Sequence, residues 1–163
     1  MMVSLAALLT VACGGDEIAK TENAKMETNQ LNQGTIFPRG EKAPPDTFTG
    51  TVYVQPLAAK NANNNFSVAS VTFEAGARAF WHSHPAGQTI LVTNGRGLYQ
   101  EKGKAVWTLN KGEVVLCDPD IEHWHGASPE SSMTHIVITN YKGDTQVNWL
   151  QPVTDEEYGA VGK

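Results

Sequence analysis

His82 and His84 stand two residues apart in this 163-residue sequence, Gln88 follows shortly after, and His123 lies about 40 residues further on. In a strand, residues two apart point to the same face, so one metal ion can take both imidazoles. The turn-forming run Pro85-Ala86-Gly87 brings the Gln88 amide back toward the same centre. A buried imidazole pair without a partner is costly, whereas a metal ion satisfies the free ring nitrogens. These four residues are read as one metal centre, with His123 arriving from a separate strand pair. His125 follows His123 at strand spacing and so faces the same interior. His135 sits in the mostly apolar run Met133–Ile138, where an inward polar residue needs a reason.

The chemistry of such a set follows from its charge. Three neutral imidazoles and a neutral amide leave a divalent ion its full +2, which makes it a strong Lewis acid for a bound anion. Octahedral binding by four protein ligands leaves two positions for substrate or water. Mixed imidazole and amide-oxygen ligation suits Mn, Fe, Ni or Zn. An imidazole beside a dication resists protonation and stays a competent base. His125 and His135 are therefore read either as proton-transfer groups or as hydrogen-bonding supports of the ligands. By the alternation that turns His82 inward, Phe80 is expected to form an apolar wall of the pocket, while Trp81 and Trp124 pack on the outer face. Cys117 closes the buried-strand pattern Val114–Cys117 and reads as an inert small hydrophobe.

The elements that must position these groups read as strands from about Phe37 onward. Thr49–Val54, Phe66–Phe73, Thr89–Thr93, Gly97–Gln100, Val106–Leu109, Val114–Cys117 and Thr134–Tyr141 are rich in β-branched and aromatic residues. Turn signals separate them, among them Asn61–Asn65, Asn94-Gly95, Asn110-Lys111-Gly112 and Asp118-Pro119-Asp120. Strands at this spacing predict an all-β sandwich, jelly roll or barrel, with a short helical stretch only near Thr154–Ala160. No glycine-rich nucleotide loop occurs. Hydrophobic residues make up 40% of the chain, enough for a packed core, and the formal charge of -5 argues against nucleic acid as a partner.

Ahead of this domain, Val3–Ala12 is an uncharged apolar run, too short to span a bilayer and of the length of a signal-peptide core. Leu9-Thr10-Val11-Ala12-Cys13 resembles a bacterial lipobox, which implies cleavage before Cys13 and lipid on that cysteine. The sequence thus predicts a lipoprotein-type signal peptide over 1–12, a disordered flexible tether over 13–36 and a folded domain over 37–163. The expected location is the bacterial cell envelope, periplasm or outer membrane, with the lipid on Cys13 as the one membrane contact.

Gly76-(x5)-His82-Ser83-His84-(x3)-Gln88-(x6)-Gly95 is similar to the first motif of the cupin superfamily in every spacing, with Gln88 where most cupins carry glutamate. Counting from Gly112, the second motif sets its histidine at His123; Pro119 comes one residue late, Asp120 replaces a glycine and Ala127 an asparagine. The runs Ala69–Gln88, Glu122–Ala127 and Val153–Tyr158 further resemble the small single-domain cupins that include bacterial manganese-dependent hydroxynitrile lyases. The resemblance implies a double-stranded β-helix, that is, a jelly-roll barrel. It implies His82, His84, Gln88 and His123 as ligands of a divalent metal, manganese by family, with iron, nickel and zinc as other occupants. It also implies His125 and His135 in the pocket, with Ala69 and Val71 shaping its wall. Thr139 stands where the cyanohydrin-cleaving relatives carry glutamine. The expected function is a metal-dependent lyase on a small-molecule substrate. The alternatives are a dioxygenase or isomerase, or a non-catalytic envelope module that binds metal or ligand. A homodimer is the expected assembly.

Overall fold

The structure is a computed structural model that describes Lys20 and residues 36–160. The apolar leader, Cys13 and the tether residues 14–35, Lys20 aside, lie outside the described residues. The described chain forms twelve strands: β1 (Glu41–Lys42), β2 (Phe48–Thr49), β3 (Val52–Ala58), β4 (Phe66–Phe73), β5 (Arg78–Ala79), β6 (His82–Ser83), β7 (Gln88–Glu101), β8 (Trp107–Asn110), β9 (Val114–Cys117), β10 (His123–Ala127), β11 (Met133–Asn140) and β12 (Asn148–Trp149). One short helix, α1 (Asp155–Tyr158), follows. The expected all-β domain is what forms, and β4 and β9 have the bounds the β-branched runs predict.

Every pairing is antiparallel. One sheet runs β1-β3-β4-β11-β7-β9. The other runs β2-β5-β10-β7-β8, with β6 beside β10 and β12 beside β6. The two sheets share β7, whose first half pairs with β11 and β9 and whose second half pairs with β10 and β8. That sharing curls the strands into a jelly-roll barrel.

The Asn94-Gly95 turn signal is corrected here: it does not separate two strands but bends one. Pairing slips at Thr93, so that Thr134 faces Asn94 while His135 faces Val92. This extra residue is a β-bulge, which sharpens the local twist. Gly95 sits at φ 72, and a Cβ there would overlap the Ser132 carbonyl, so only glycine lets β11 and β7 approach this closely. A tight-turn dipeptide and a barrel corner both need a positive φ, and they look alike in sequence.

Two apolar clusters hold the barrel. The inner one packs Val52, Val71, Phe73, Ile90, Val92, Tyr99, Leu109, Val115, Cys117 and Met133 between the sheets. The outer one packs Trp81, Leu98, Val106, Trp124, Val153 and Tyr158 beneath the C-terminal segment. Trp81 and Trp124 thus face away from the barrel interior, as alternation predicts. Arg78 clasps that segment from β5: it donates to the Val153 carbonyl at 3.2 and 3.1 Å and to Asp155 at 2.6 Å, and lies over the Tyr158 ring. Thr154 and Glu157 complete a reciprocal cap on α1.

Candidate metal centre

Register alone brings the first two imidazoles together. His82 on β6 stands directly opposite His123 on β10, with ring centroids 4.4 Å apart. His84 follows just past β6, 5.1 Å from His82 and 5.4 Å from His123. Each ring has a backbone carbonyl behind it. Nδ1 of His82 donates to Phe80 O at 2.8 Å, Nδ1 of His84 to Gln146 O at 2.7 Å, and Nδ1 of His123 to Ile121 O at 3.0 Å. A carbonyl can only accept, so the proton lies on Nδ1 and the lone pair on Nε2. Nε2 of His84 and Nε2 of His123 are buried without any hydrogen-bond partner, and so is Oε1 of Gln88. Buried lone pairs facing nothing are expensive, and one cation would relieve all three.

The turn after His84 is built to return the chain. Gly87 N donates to His84 O at 3.1 Å, Gly87 adopts φ 78, and Gln88 then opens β7 with its side chain against His84. In the second loop Asp120 takes the left-handed conformation at φ 63 where the motif has glycine, and its N–H also donates to His84 O.

One nitrogen from each of His82, His123 and His125 also falls within 4.8 Å of the others. This trio differs from the clamped one only in its third member. His125 has no carbonyl behind it, and its Nδ1 is buried without a partner. His135 is fully buried with both nitrogens unpartnered, 4.9 Å from His125. Neither residue props a ligand through a hydrogen bond in the described structure. Burial pushes all five imidazoles below the usual histidine value: His123 to about 4 and His135 to about 3, while His82, His84 and His125 are lowered too. For His125, burial comes first and the neighbouring His135 second.

A cavity of about 190 Å³ opens onto His82, His84, Gln88, His125 and His135. Strand alternation lines it with Ser67, Ala69, Val71 and Phe73 of β4 and with His135, Val137 and Thr139 of β11, all on one face. Ala69, Val71 and Thr139 therefore stand where expected. Phe80 does not: it is half-buried and absent from the lining, and Ala79 occupies the wall instead. The chain bends at Trp81 between β5 and β6, so alternation cannot be carried across it. Sequence reasoning missed Phe48, Phe73, Gln146 and Trp149. Phe73 was within reach, being in step with Ala69 and Val71. Gln146 and Trp149 come from an irregular segment without periodicity, yet Trp149 pairs with His82 in the sheet, its ring tilted against the imidazole with centroids 4.9 Å apart. Among the described residues, no Asp, Glu, Lys or Arg lines the cavity.

Cys117 is buried behind this site, accepts from the Tyr99 hydroxyl at 3.4 Å, and burial raises its thiol to about 11. That makes it a packing residue rather than a nucleophile.

Comparison with known proteins gives a consistent result. A family model for the cupin domain matches residues 69–139. The chain is 47% identical over 117 residues to an (R)-mandelonitrile lyase of Granulicella tundricola, covering 72% of this chain and 89% of that protein. The crystal structure of a cupin-like protein from Thermotoga maritima superimposes with a TM-score of 0.75 at 47% identity, over 78% of this chain and 98% of that one. A DMSP lyase from Ruegeria pomeroyi, 16% identical, shares the fold with a TM-score of 0.54 over 84% of this chain and 70% of its own.

Proposed function

The chain belongs to the cupin family, and from that premise we propose that it is a metal-dependent lyase that cleaves and forms cyanohydrins of small uncharged aldehydes. The observation that carries the reading is one apolar cavity lined by the carbonyl-clamped His82 and His84 and by His125 and His135, two further buried imidazoles that support no ligand. The likeness to an (R)-mandelonitrile lyase supports the substrate class.

The donor set fits a divalent transition metal, since its unpartnered buried atoms are all uncharged lone-pair donors. His82, His84, Gln88 and His123 would hold it, with manganese as the proposed occupant. The ion would supply Lewis-acid charge that none of these ligands cancels.

The chain's own groups do the rest. Phe48, Phe73, Val71 and Trp149 surround the organic part of the substrate and keep water from it. With no charged side chain in the lining, an uncharged cyanohydrin enters without leaving an ion unpaired. In cleavage, His125 takes the substrate's hydroxyl proton as the carbon–carbon bond breaks. The bond's electron pair leaves with cyanide, the oxygen's pair closes the carbonyl, and the proton passes to cyanide. His135, its ring edge-on with centroids 4.9 Å from that of His125, is the second group proposed to move the proton. Both rings are neutral at physiological pH, the state from which a base starts.

Manganese-loaded protein is expected to convert mandelonitrile to benzaldehyde and hydrogen cyanide, followed by benzaldehyde absorbance. His125→Ala is expected to lower kcat by about 100-fold or more. Metal-loaded protein that neither splits mandelonitrile nor makes it from benzaldehyde and cyanide overturns the proposal.

A further inference from the structure

Thr139 stands directly opposite Gln88 in the pairing of β11 with β7, and the Gln88 Nε2 donates to its hydroxyl oxygen at 2.9 Å. Both side chains are buried. The other end of the amide, Oε1, is buried with no partner, and the side chain lies against His84. A primary amide carries an acceptor at one end and donors at the other, and the two ends are nearly the same size. Packing therefore cannot select which end faces the imidazoles. A hydrogen-bonding partner fixes where the side chain sits, and here the Thr139 hydroxyl takes the N–H end. If the amide turned over, its N–H groups would face the centre, and N–H groups cannot bind a cation.

We propose that Thr139 is the residue that anchors the Gln88 side chain, holding Nε2 aside so that Oε1 is the atom offered to the metal. It is a positioning residue, and the inference rests on the ligand role proposed for Gln88. The three histidine ligands receive the same service from backbone carbonyls, which no point substitution removes. Gln88 alone among the four depends on a side chain. The nearby polar groups are otherwise engaged: Asn140 Nδ2 donates to the Ala86 carbonyl, and Ser67 donates to Gln146.

The test uses the full chain, stripped with a chelator and titrated with cobalt(II), with visible absorption giving the equilibrium Kd. The thermal midpoint of each metal-free protein is measured alongside. Thr139→Val is expected to weaken cobalt binding by about 10- to 100-fold. Thr139→Ser, which keeps the hydroxyl, is expected to recover most of that loss. In a Gln88→Ala background, Thr139→Val is expected to add nothing further. Should Thr139→Val fail to fold, Thr139→Ala takes its place. Wild-type affinity in Thr139→Val, with binding weakened in Gln88→Ala, overturns the role of Thr139 alone. Wild-type affinity in Gln88→Ala overturns the ligand reading as well. A serine variant as weak as the valine variant also overturns the inference, because the hydroxyl would then not be what matters.

Discussion

His82, His84 and His123 each give the Nδ1 proton to a backbone carbonyl, whereas His135 gives neither nitrogen to anything. The first arrangement leaves a lone pair for a cation, and elemental analysis of purified protein is expected to find close to one transition-metal ion per chain. A His82→Ala/His123→Ala double variant is expected to lose it. The second arrangement stores a liability with a definite pH signature. An unfolded histidine takes up a proton below about pH 6.5, while buried His135 refuses one until about 3. Across that window the unfolded state binds more protons, so stability is full above the unfolded value and falls as pH drops. His123, His82, His84 and His125 are lowered too and add with the same sign. The thermal midpoint of metal-free protein is expected to fall between about pH 7 and pH 4. His135→Phe, which keeps a ring and removes the titration, is expected to fall less steeply.

The element that decides the site is β7, because it carries Gln88 in one sheet and pairs with β10, the strand of His123, in the other. Its bend at Gly95 sets the angle between them. Gly95→Ala puts a Cβ into the Ser132 carbonyl at a positive φ, and is expected to cost about 2 kcal/mol or more in urea unfolding. Gly76→Ala is the matched control: the same sign of φ but open space around the Cβ, and an expected cost of about 1 kcal/mol. The C-terminal segment is the other element that matters, since Gln146 O anchors His84 and Trp149 covers His82. Arg78→Met removes the clasp at Val153 and Asp155, leaving a carbonyl without its donor. It is expected to cost about 2 kcal/mol and to open the last 15 or so residues to limited proteolysis.

At the scale of the whole molecule, the lipid anchor and the homodimer remain expectations of the sequence. Palmitate labelling of the full chain in a bacterial host is expected to depend on Cys13 and to vanish in Cys13→Ser. No helix among the described residues is long and apolar enough to cross a membrane. The strand β9 lies at the edge of its sheet with Val114 and Leu116 exposed, the kind of edge that proteins cover or protect. Light scattering is expected to give the mass of two chains.

The sequence by itself determined that the domain is all-β and that His82, His84, Gln88 and His123 could meet. Period-two alternation reports a strand wherever a chain stays extended, and motif spacing counts residues along a single loop. Ala69, Val71 and Thr139 were named by the resemblance to the small single-domain cupins, not by alternation. Alternation is lost where the backbone bends, so it does not place Phe80, and Asn94-Gly95 reads as a break between strands because a tight turn and a barrel corner both need a positive φ. Three features came only with the tertiary structure: the Gln146 carbonyl behind His84, the Trp149 ring against His82, and the contact between Thr139 and the Gln88 amide. Each joins residues about 50 or more positions apart, and a partner at that distance is chosen by how the two sheets fold over each other, which local pattern does not encode.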